Sequence, residues 1–344
     1  CIKPQCVPPF EEIFSLENLL LSWREFVAGK RQKTDVADFA ACFVSNFYQL
    51  HNELEAGRYI HGGYSYFKIN DQKPRDIHKA SVRDRIVHHA IHRALYPYFD
   101  RKFIFDSYSC RVDKGTHRAL ARFATFARRE SRNHADTVWV LKCDIKKCFA
   151  SIDHDILKSI LKKHIARTRT FTTLASVIDS FHTGQKGKGI PLGNLTSQLF
   201  VNIYLNELDQ VVKRIFRASM YIRYADDFIV LSRDRNWLEE LLPRIGEFLN
   251  EWLFLELRLE ERPIRTVASG VDFLGWVHFP DHRVLRNKTK WKMLNNLERK
   301  FSPAALSSYL GLLSHGNAWN LAEKIKSDTM RSSQNPIFGY NLQK

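Results

Sequence analysis

The segment YIRYADDFIVLS, residues 221–232, decides how this chain is interpreted, because two adjacent carboxylates separate two apolar runs. Both runs are rich in aromatic and β-branched residues, which predicts the two strands of a buried hairpin. Asp226 and Asp227 then lie at the turn, where their charges repel each other. A divalent cation would offset that repulsion, and Mg²⁺ prefers oxygen ligands of this kind. The alternative is an ordinary solvated turn.

A third carboxylate, Asp144, follows the apolar run VWVLKC. Three acids carried on strands fit a phosphoryl-transfer site that uses two metal ions. The alternative for Asp144 is a helix-entry cap, but caps rarely follow so apolar a strand. Ser151 or Asp153 could cap the helix that comes next, DHDILKSILKKHI.

The charge balance points to a polyanionic partner. The chain of 344 residues carries 53 Lys and Arg against 37 Asp and Glu, a net charge of +16. The basic residues cluster, as in RDIHKASVRDR and ARFATFARRESR, which favours nucleic acid over a membrane surface. No apolar run approaches the roughly 20 residues that a membrane span requires, and no signal peptide is apparent. We therefore expect a cytoplasmic protein that does not bind membranes.

The cysteines and the first residue carry less information. The six cysteines are scattered, without CxxC pairs, which predicts free thiols. The chain begins with Cys rather than Met, which leaves open whether its N-terminus is complete.

The order of predicted elements around the carboxylates, β-α-α-β-β-α-β, indicates an α+β fold with an antiparallel sheet backed by helices. The segment RIVHHAIHRALYPYF predicts a helix that ends near Pro97. The clustered histidines lack Cys or acidic partners for zinc, so we interpret them as part of a basic helix that touches RNA. They are His78, His88, His89 and His92.

Several motifs together resemble reverse transcriptases. They are YADD at 224–227, LKCDIKKCFASIDH around Asp144, GIPLGNLTSQ at 189–198, and the flanking blocks KPRDIHKASVRDR, SYSCRVDKGTHRAL, VDFLGWVHFPDHRVLR and SHGNAWNL. The SQ that follows IPLGN resembles the reverse transcriptases of diversity-generating retroelements, whereas group II intron enzymes typically carry PQG followed by SP.

This resemblance implies a right-hand polymerase fold with fingers, a palm bearing the YADD hairpin, and a short helical thumb. The implied boundaries are an N-terminal helical extension over 1–60, fingers over 61–135, a palm over 136–282 with part of the fingers inserted at about 155–190, and a thumb over 283–344.

The resemblance also assigns roles at the metal site. It implies that Asp144, Asp226 and Asp227 bind two Mg²⁺ ions, with Mn²⁺ as an alternative. Asp227 would be the less direct ligand, and the backbone carbonyl of Ile145 would assist.

Further positions match the nucleotide site of the family. Phe149 resembles the gate under the incoming sugar, where a ring would clash with a ribose 2′-hydroxyl. Leu192 replaces the Gln of the PQG motif and cannot donate its hydrogen bonds, which predicts weaker rejection of mispairs. The remaining candidates for contact with the nucleotide are Lys73, Arg75, Arg111 and Gln198.

The implied function is RNA-directed DNA synthesis, error-prone opposite template adenines, from the template-repeat RNA of a diversity-generating retroelement (mutagenic retrohoming). The partners would be template RNA, a cDNA primer, dNTPs and the accessory variability determinant protein. The resemblance also implies a bacterial or phage origin. Other readings stay open: a group II intron-like, retron or antiphage reverse transcriptase, a viral RNA-dependent RNA polymerase, or an inactive RNA-binding protein with the same fold.

Overall fold

The computed structural model describes residues 6–69, 75–165, 169–299 and 301–334. The chain forms two compact units, each assembled from several segments. The first unit comprises Cys1–Gly115, Lys142–Val230 and Glu239–Glu261, and the second comprises Thr116–Leu141, Leu231–Leu238 and Arg262–Lys344. The division into extension, fingers, palm and thumb remains a prediction.

Both units contain helices and strands, which confirms the mixed fold class. The helices are α1 Phe10–Ile13, α2 Leu16–Val27, α3 Thr34–Ala41, α4 Phe43–Glu55, α5 Val82–Asp100, α6 Thr116–Glu130, α7 Cys148–Ser151, α8 His154–Lys162, α9 Arg169–Asp179, α10 Leu195–Gln210, α11 Arg235–Leu253, α12 Asn287–Arg299, α13 Pro303–Leu313 and α14 Trp319–Gln334. Within the described ranges, none of these helices is long and apolar enough to cross a membrane.

The strands of the described residues form three sheets. The strands are β1 Tyr64–Ile69, β2 Arg75–Ala80, β3 Trp139–Ile145, β4 Tyr221–Tyr224, β5 Asp227–Ser232, β6 Leu257–Arg258, β7 Ile264–Thr266, β8 Val271–Phe273, β9 Trp276–His278 and β10 Arg283–Leu285. β1 pairs with β2, and a larger sheet has the order β4-β5-β3-β6, with β7 also paired to β3. β8, β9 and β10 form the third sheet.

Helix α5 is the central helix of the first unit, where it packs against α2 and α10. Ser81 caps its N-terminus by accepting a hydrogen bond from the Asp84 amide. The expectation that this helix ends near Pro97 is wrong, since α5 continues to Asp100. A proline removes one helical hydrogen bond, and the buried side chains of Leu95 and Phe99 hold the last turn in place.

The predicted hairpin is confirmed, and its two strands belong to the larger sheet. β4 and β5 are antiparallel, with Tyr221 opposite Val230 and Tyr224 opposite Asp227. Phe228, Ile229 and Val230 are buried, so the strands form a rigid support for the turn.

The second unit has its own core. Phe123 of α6 packs against the rings of Phe273 and His278. In the same unit, β7 pairs with the first residues of β3, where Trp139 lies opposite Thr266. The thumb predicted over residues 283–344 falls within this unit.

Candidate active site

Asp144 is the next-to-last residue of β3, and buried and half-buried positions alternate over the last five residues of this strand. Its neighbours Cys143 and Ile145 are buried, whereas Asp144 is half-buried. In the pairing with β6, Asp144 lies opposite Arg258. The carboxylate is therefore carried on a well-packed strand and remains partly accessible.

Asp226 and Asp227 lie at the turn between β4 and β5. Because Tyr224 pairs with Asp227, the turn itself contains only Ala225 and Asp226. Ala225 has a φ of 55°, in the left-handed region that residues with a Cβ seldom adopt. Both aspartates are half-buried, so the turn presents them at the end of a buried hairpin.

A backbone hydrogen bond brings the two strand ends together. The amide of Ile145 donates to the carbonyl oxygen of Asp226 at 3.2 Å. The thiol of Cys148 gives a second indication: burial raises its pKa, and the carboxylates of Asp226 and Asp144 raise that pKa further. One thiol therefore lies within the electrostatic reach of both carboxylates, although Asp144 and Asp226 are far apart in the sequence.

The cysteines near these aspartates are protonated and are not suited to metal binding. Burial raises the pKa of Cys143 to about 12, and Asp144 adds to the shift. In the described part of the chain Cys6, Cys42, Cys110, Cys143 and Cys148 are free thiols, as predicted.

The oxygen donors at the two strand ends fit a divalent ion of the Mg²⁺ type. Among the described residues, no group of three or more His, Cys, Asp or Glu side chains is arranged to enclose a metal. A complete cage is not needed, since Mg²⁺ usually binds one or two carboxylates together with water and substrate phosphates. Asp144 and Asp226 are the side chains that would hold such an ion.

A buried ion pair lies under the hairpin, and sequence reasoning missed it. The side chains of Arg223 and Asp209 are both 0% exposed, and their charged atoms lie 2.6 Å apart. Burial alone would lower the pKa of Arg223, but Asp209 outweighs burial and the pKa is raised. The guanidinium therefore stays charged. The sequence contained one indication of this pair: Arg223 is a charged residue within the apolar strand YIRY, and a buried charge requires a partner of opposite charge.

The segment 189–194 connects α7 with the β1–β2 hairpin. The amide of Ile190 donates to the carbonyl of Phe149 at 2.8 Å, and the amide of His78 donates to the carbonyl of Leu192 at 3.1 Å. Asn194 stands at the N-cap position of α10, but its side chain donates to the carbonyl of His78. The backbone of Phe149 is therefore bonded to the same short segment that contains Leu192.

The other predicted nucleotide contacts are more scattered. Gln198 is an exposed residue of α10. Lys73 lies outside the described residues, and for Arg75 only the backbone, paired with Ile69, is described. Arg111 makes an ion pair with Asp100 at 2.7 Å, and its side chain is 6% exposed. It also donates to the carbonyls of Ile104 and Ser107. In this conformation Arg111 supports its own loop, and its contact with a nucleotide stays a prediction.

The interpretation of the clustered histidines as part of an RNA-contacting basic helix is wrong for His78, which lies on strand β2, and for His88, which is buried. His88 is buried between His61 and Thr196, and burial lowers its pKa to about 3. Burial also lowers the pKa values of His89 and His92 to about 4. His89 and His92 are only half-buried, and their contact with RNA stays a prediction.

Carboxylates on adjoining strand ends of an antiparallel sheet, in a strongly basic chain, are typical of the catalytic palm of nucleic acid polymerases. The sequence profile of the reverse transcriptase (RNA-dependent DNA polymerase) family matches residues 68–278. The chain belongs to this family, and this match contains all three aspartates and their supporting elements. The protein is thus assigned to the RNA-directed DNA polymerases, a family that uses divalent metal ions.

Relatives of this chain include a group II intron-encoded protein. Protein YkfC of Escherichia coli (strain K12) is 25% identical over 283 residues, covering 70% of this chain and 72% of YkfC. The group II intron-encoded protein LtrA of Lactococcus lactis is 24% identical over 292 residues, covering 64% of this chain and 46% of LtrA. The chain therefore spans less than half of LtrA.

Among solved structures, telomerase from Candida albicans, in complex with a fragment of telomeric RNA, has a TM-score of 0.50 and 11% sequence identity. The similarity covers 75% of this chain and 55% of the telomerase chain. At this identity the comparison shows the fold alone.

Proposed function

We propose that this protein copies a template-repeat RNA into cDNA as the reverse transcriptase of a diversity-generating retroelement. Asp144 and Asp226 hold two divalent ions, Mg²⁺ or Mn²⁺, with help from Asp227 and the carbonyl of Ile145. The observation that carries this proposal is the hydrogen bond from the Ile145 amide to the Asp226 carbonyl, because it joins the strand ends that bear the acids.

The reaction forms a bond between the 3′-oxygen of a primer and the α-phosphorus of a dNTP, and it breaks the bond to the departing pyrophosphate. When bound, the ions stabilise the negative charge that develops on the attacking and leaving oxygens. The aspartates contribute fixed oxygen ligands on a rigid sheet, so little reorganisation is needed at the moment of reaction.

The nucleotide lies, in this proposal, against Phe149 and Leu192. Phe149 excludes the ribose 2′-hydroxyl, and the product is therefore DNA. Leu192 packs against the nascent base pair without donating hydrogen bonds. A mispair therefore loses less binding free energy, relative to a correct pair, than it would beside a glutamine amide. Lys73, Arg75 and Arg111 are proposed to face the triphosphate, and Gln198 the template.

The proposed partners are template RNA, the cDNA primer and dNTPs, which the net charge of +16 supports. An accessory variability determinant protein is included because the retroelement family uses one. The motif GIPLGNLTSQ resembles the reverse transcriptases of diversity-generating retroelements, and this resemblance supports the retroelement type over the group II intron type.

A group II intron-like reverse transcriptase is the second candidate. The similarity to LtrA favours it. The two candidates share the polymerase chemistry but differ in error pattern, since only the retroelement type should misincorporate preferentially opposite template adenine.

Primer extension by the purified chain tests both the polymerase activity and the retroelement type. Incorporation of dNTPs on an RNA template, dependent on Mg²⁺ and lost in Asp226→Ala, supports the polymerase assignment. Sequencing of the cDNA then separates the candidates: errors concentrated at template adenines support the retroelement type, and a flat spectrum contradicts it. RNA binding without incorporation would instead indicate an inactive RNA-binding protein.

A further inference from the structure

We propose that Arg223 is a positioning residue, which sets the direction of the Asp226 carboxylate by holding the peptide group that precedes it. This inference rests on the proposed function, in which Asp226 binds the divalent ions. Arg223 is fully buried, so it acts through the turn and does not act directly on a substrate.

The guanidinium plane of Arg223 is fixed by a two-pronged bond to one carboxylate. Its Nε donates to Oδ1 of Asp209 at 2.7 Å, and its Nη2 donates to Oδ2 at 2.6 Å. Parallel bonds of this kind set orientation as well as distance. Oδ1 of Asp209 also accepts a hydrogen bond from the hydroxyl of Tyr221 at 2.8 Å.

The opposite edge of the same guanidinium reaches the turn. Nη1 of Arg223 donates to the carbonyl of Ala225 at 3.1 Å and to Oδ1 of Asn202 at 3.2 Å. Because Asp209 fixes the plane of the group, the position of Nη1 is fixed as well. The Ala225 carbonyl is therefore held at a set place relative to Asp209.

The two peptide groups that flank Asp226 are thus held from opposite sides. Arg223 holds the carbonyl of Ala225, and the amide of Ile145 holds the carbonyl of Asp226. The direction of a side chain follows from the backbone on both sides of its Cα. Ala225 has a φ of 55°, a conformation that persists only where the surroundings enforce it.

The anchor of this arrangement belongs to helix α10. Asp209 and Asn202 both lie on α10, and Asn202 is fixed in turn by its bond to the carbonyl of Ser109 at 2.9 Å. α10 begins directly after the segment that carries Leu192. Arg223 therefore connects, through its hydrogen bonds, the turn that carries Asp226 with α10, the helix that follows the proposed nucleotide-binding segment.

A purely stabilising role for the ion pair is the competing explanation, and Arg223→Lys separates the two. Lysine keeps the charge beside Asp209, but its single ammonium cannot hold a carboxylate and a carbonyl in one plane. Tyr221→Phe is the matched control. It removes a hydrogen bond to the same buried Asp209 and leaves the contact between Arg223 and Ala225 in place.

If Arg223 positions Asp226, Arg223→Lys should unfold at a temperature close to that of Tyr221→Phe but lose kcat by roughly 10- to 100-fold, the scale of a small misplacement of a reacting group. Two readouts do not depend on turnover. Hydrogen exchange in a peptide covering 221–232 should be faster in Arg223→Lys than in the control. Binding of Mn²⁺ alone, followed by electron paramagnetic resonance, should also weaken.

A folded Arg223→Lys with the kcat, exchange and Mn²⁺ binding of the control would overturn the proposal. If Arg223→Lys does not fold, the double variant Arg223→Met with Asp209→Asn removes both buried charges, and it should show the same faster exchange and weaker Mn²⁺ binding. If neither variant folds, the Arg223–Asp209 ion pair is required for folding, and this result would also reject the proposal. An inactive wild type that still binds Mn²⁺ in an Arg223-dependent way would reject the polymerase function but not the positioning role.

Discussion

The carbonyl oxygen of Leu192 accepts a 3.1 Å hydrogen bond from the amide of His78, which joins the loop before α10 to strand β2. The side chain of Asn194 reinforces this junction from the same loop. The backbone at Leu192 is therefore fixed, and its side chain can be exchanged with little disturbance of the loop. This makes the position suitable for testing the proposed role in fidelity.

Leu192→Gln should lower the rate of misincorporation. A glutamine amide can donate to a correct pair, and one such hydrogen bond contributes roughly 0.5–1.5 kcal/mol, about 2- to 10-fold in discrimination. Deep sequencing of cDNA made on a defined RNA template measures the change, above all opposite template adenines. Leu192→Ile serves as the control, because it keeps an aliphatic side chain. An error rate equal to that of the wild type in Leu192→Gln would argue against a nucleotide contact here.

Gly193→Ala should disturb the same loop without changing any polar group. Gly193 has a φ of +106°, and an added Cβ would lie 2.9 Å from Cγ2 of Ile77. Strain of this kind costs roughly 1–3 kcal/mol, so we expect a lower free energy of unfolding and a higher KM for dNTPs. Gly311→Ala in α13 is the control, since an added Cβ there meets no atom within 4 Å beyond its chain neighbours and the backbone of its own helix. Unchanged stability and KM in Gly193→Ala would show that the loop adapts freely.

Phe149→Val should admit ribonucleotides. Its backbone carbonyl is held by the Ile190 amide, so a smaller side chain opens space without moving the helix turn. We expect the preference for dNTPs over rNTPs to fall by roughly 10- to 100-fold, the scale of a lost steric contact in a pocket. The ratio of kcat/KM for the two substrates measures this preference. Phe149→Tyr keeps a ring and should retain most of the discrimination; equal ratios in all three proteins would refute the gate.

The sequence predicted the parts of this site that depend on local patterns. The apolar runs around Asp226 and Asp227 and the strand before Asp144 follow from the alternation of side chains in a sheet, and the structure has these strands. Asp153, one of two predicted caps, accepts hydrogen bonds from the amides of Asp155 and Ile156 at the start of α8.

Contacts between distant residues were not predictable in this way. Arg223 and Arg111 are buried because Asp209 and Asp100 meet them in the fold, and no spacing in the sequence indicates those pairings. The helix that contains His88 was misinterpreted for the same reason, since only tertiary packing decides which side of a helix is buried.

Asp144→Asn and Asp226→Asn should each abolish nucleotide incorporation while the protein stays folded. Losing a charged ligand to a divalent ion removes several kcal/mol of transition-state stabilisation, on the order of a thousandfold in rate. The unfolding temperature of Asp226→Asn should be unchanged or higher, because the repulsion from Asp227 is removed. Rapid-quench primer extension and thermal unfolding measure the two effects.

The control for these variants is Asp155→Asn, a carboxylate with 93% exposure that pairs with Lys158. It should leave both rate and stability almost unchanged, since exposed ion pairs contribute roughly 0–1 kcal/mol. Full activity in Asp144→Asn or Asp226→Asn would exclude that residue from the metal site.

The stability of the protein should fall as the pH drops below neutral, and His88 is one identifiable cause. Burial lowers the folded-state pKa of His88 to about 3, whereas the ordinary value is 6.5. Between these values the unfolded chain binds a proton that the folded chain does not, so the free energy of unfolding decreases as the pH falls through 6.5 towards 3. The loss is roughly 1.4 kcal/mol per pH unit for each such histidine. Urea unfolding at pH 7.5 and 5.5 measures it. In His88→Gln this contribution should disappear, whereas the exposed-site control His182→Gln should keep the wild-type pH dependence; an identical dependence in all three proteins would show that His88 does not act in this way.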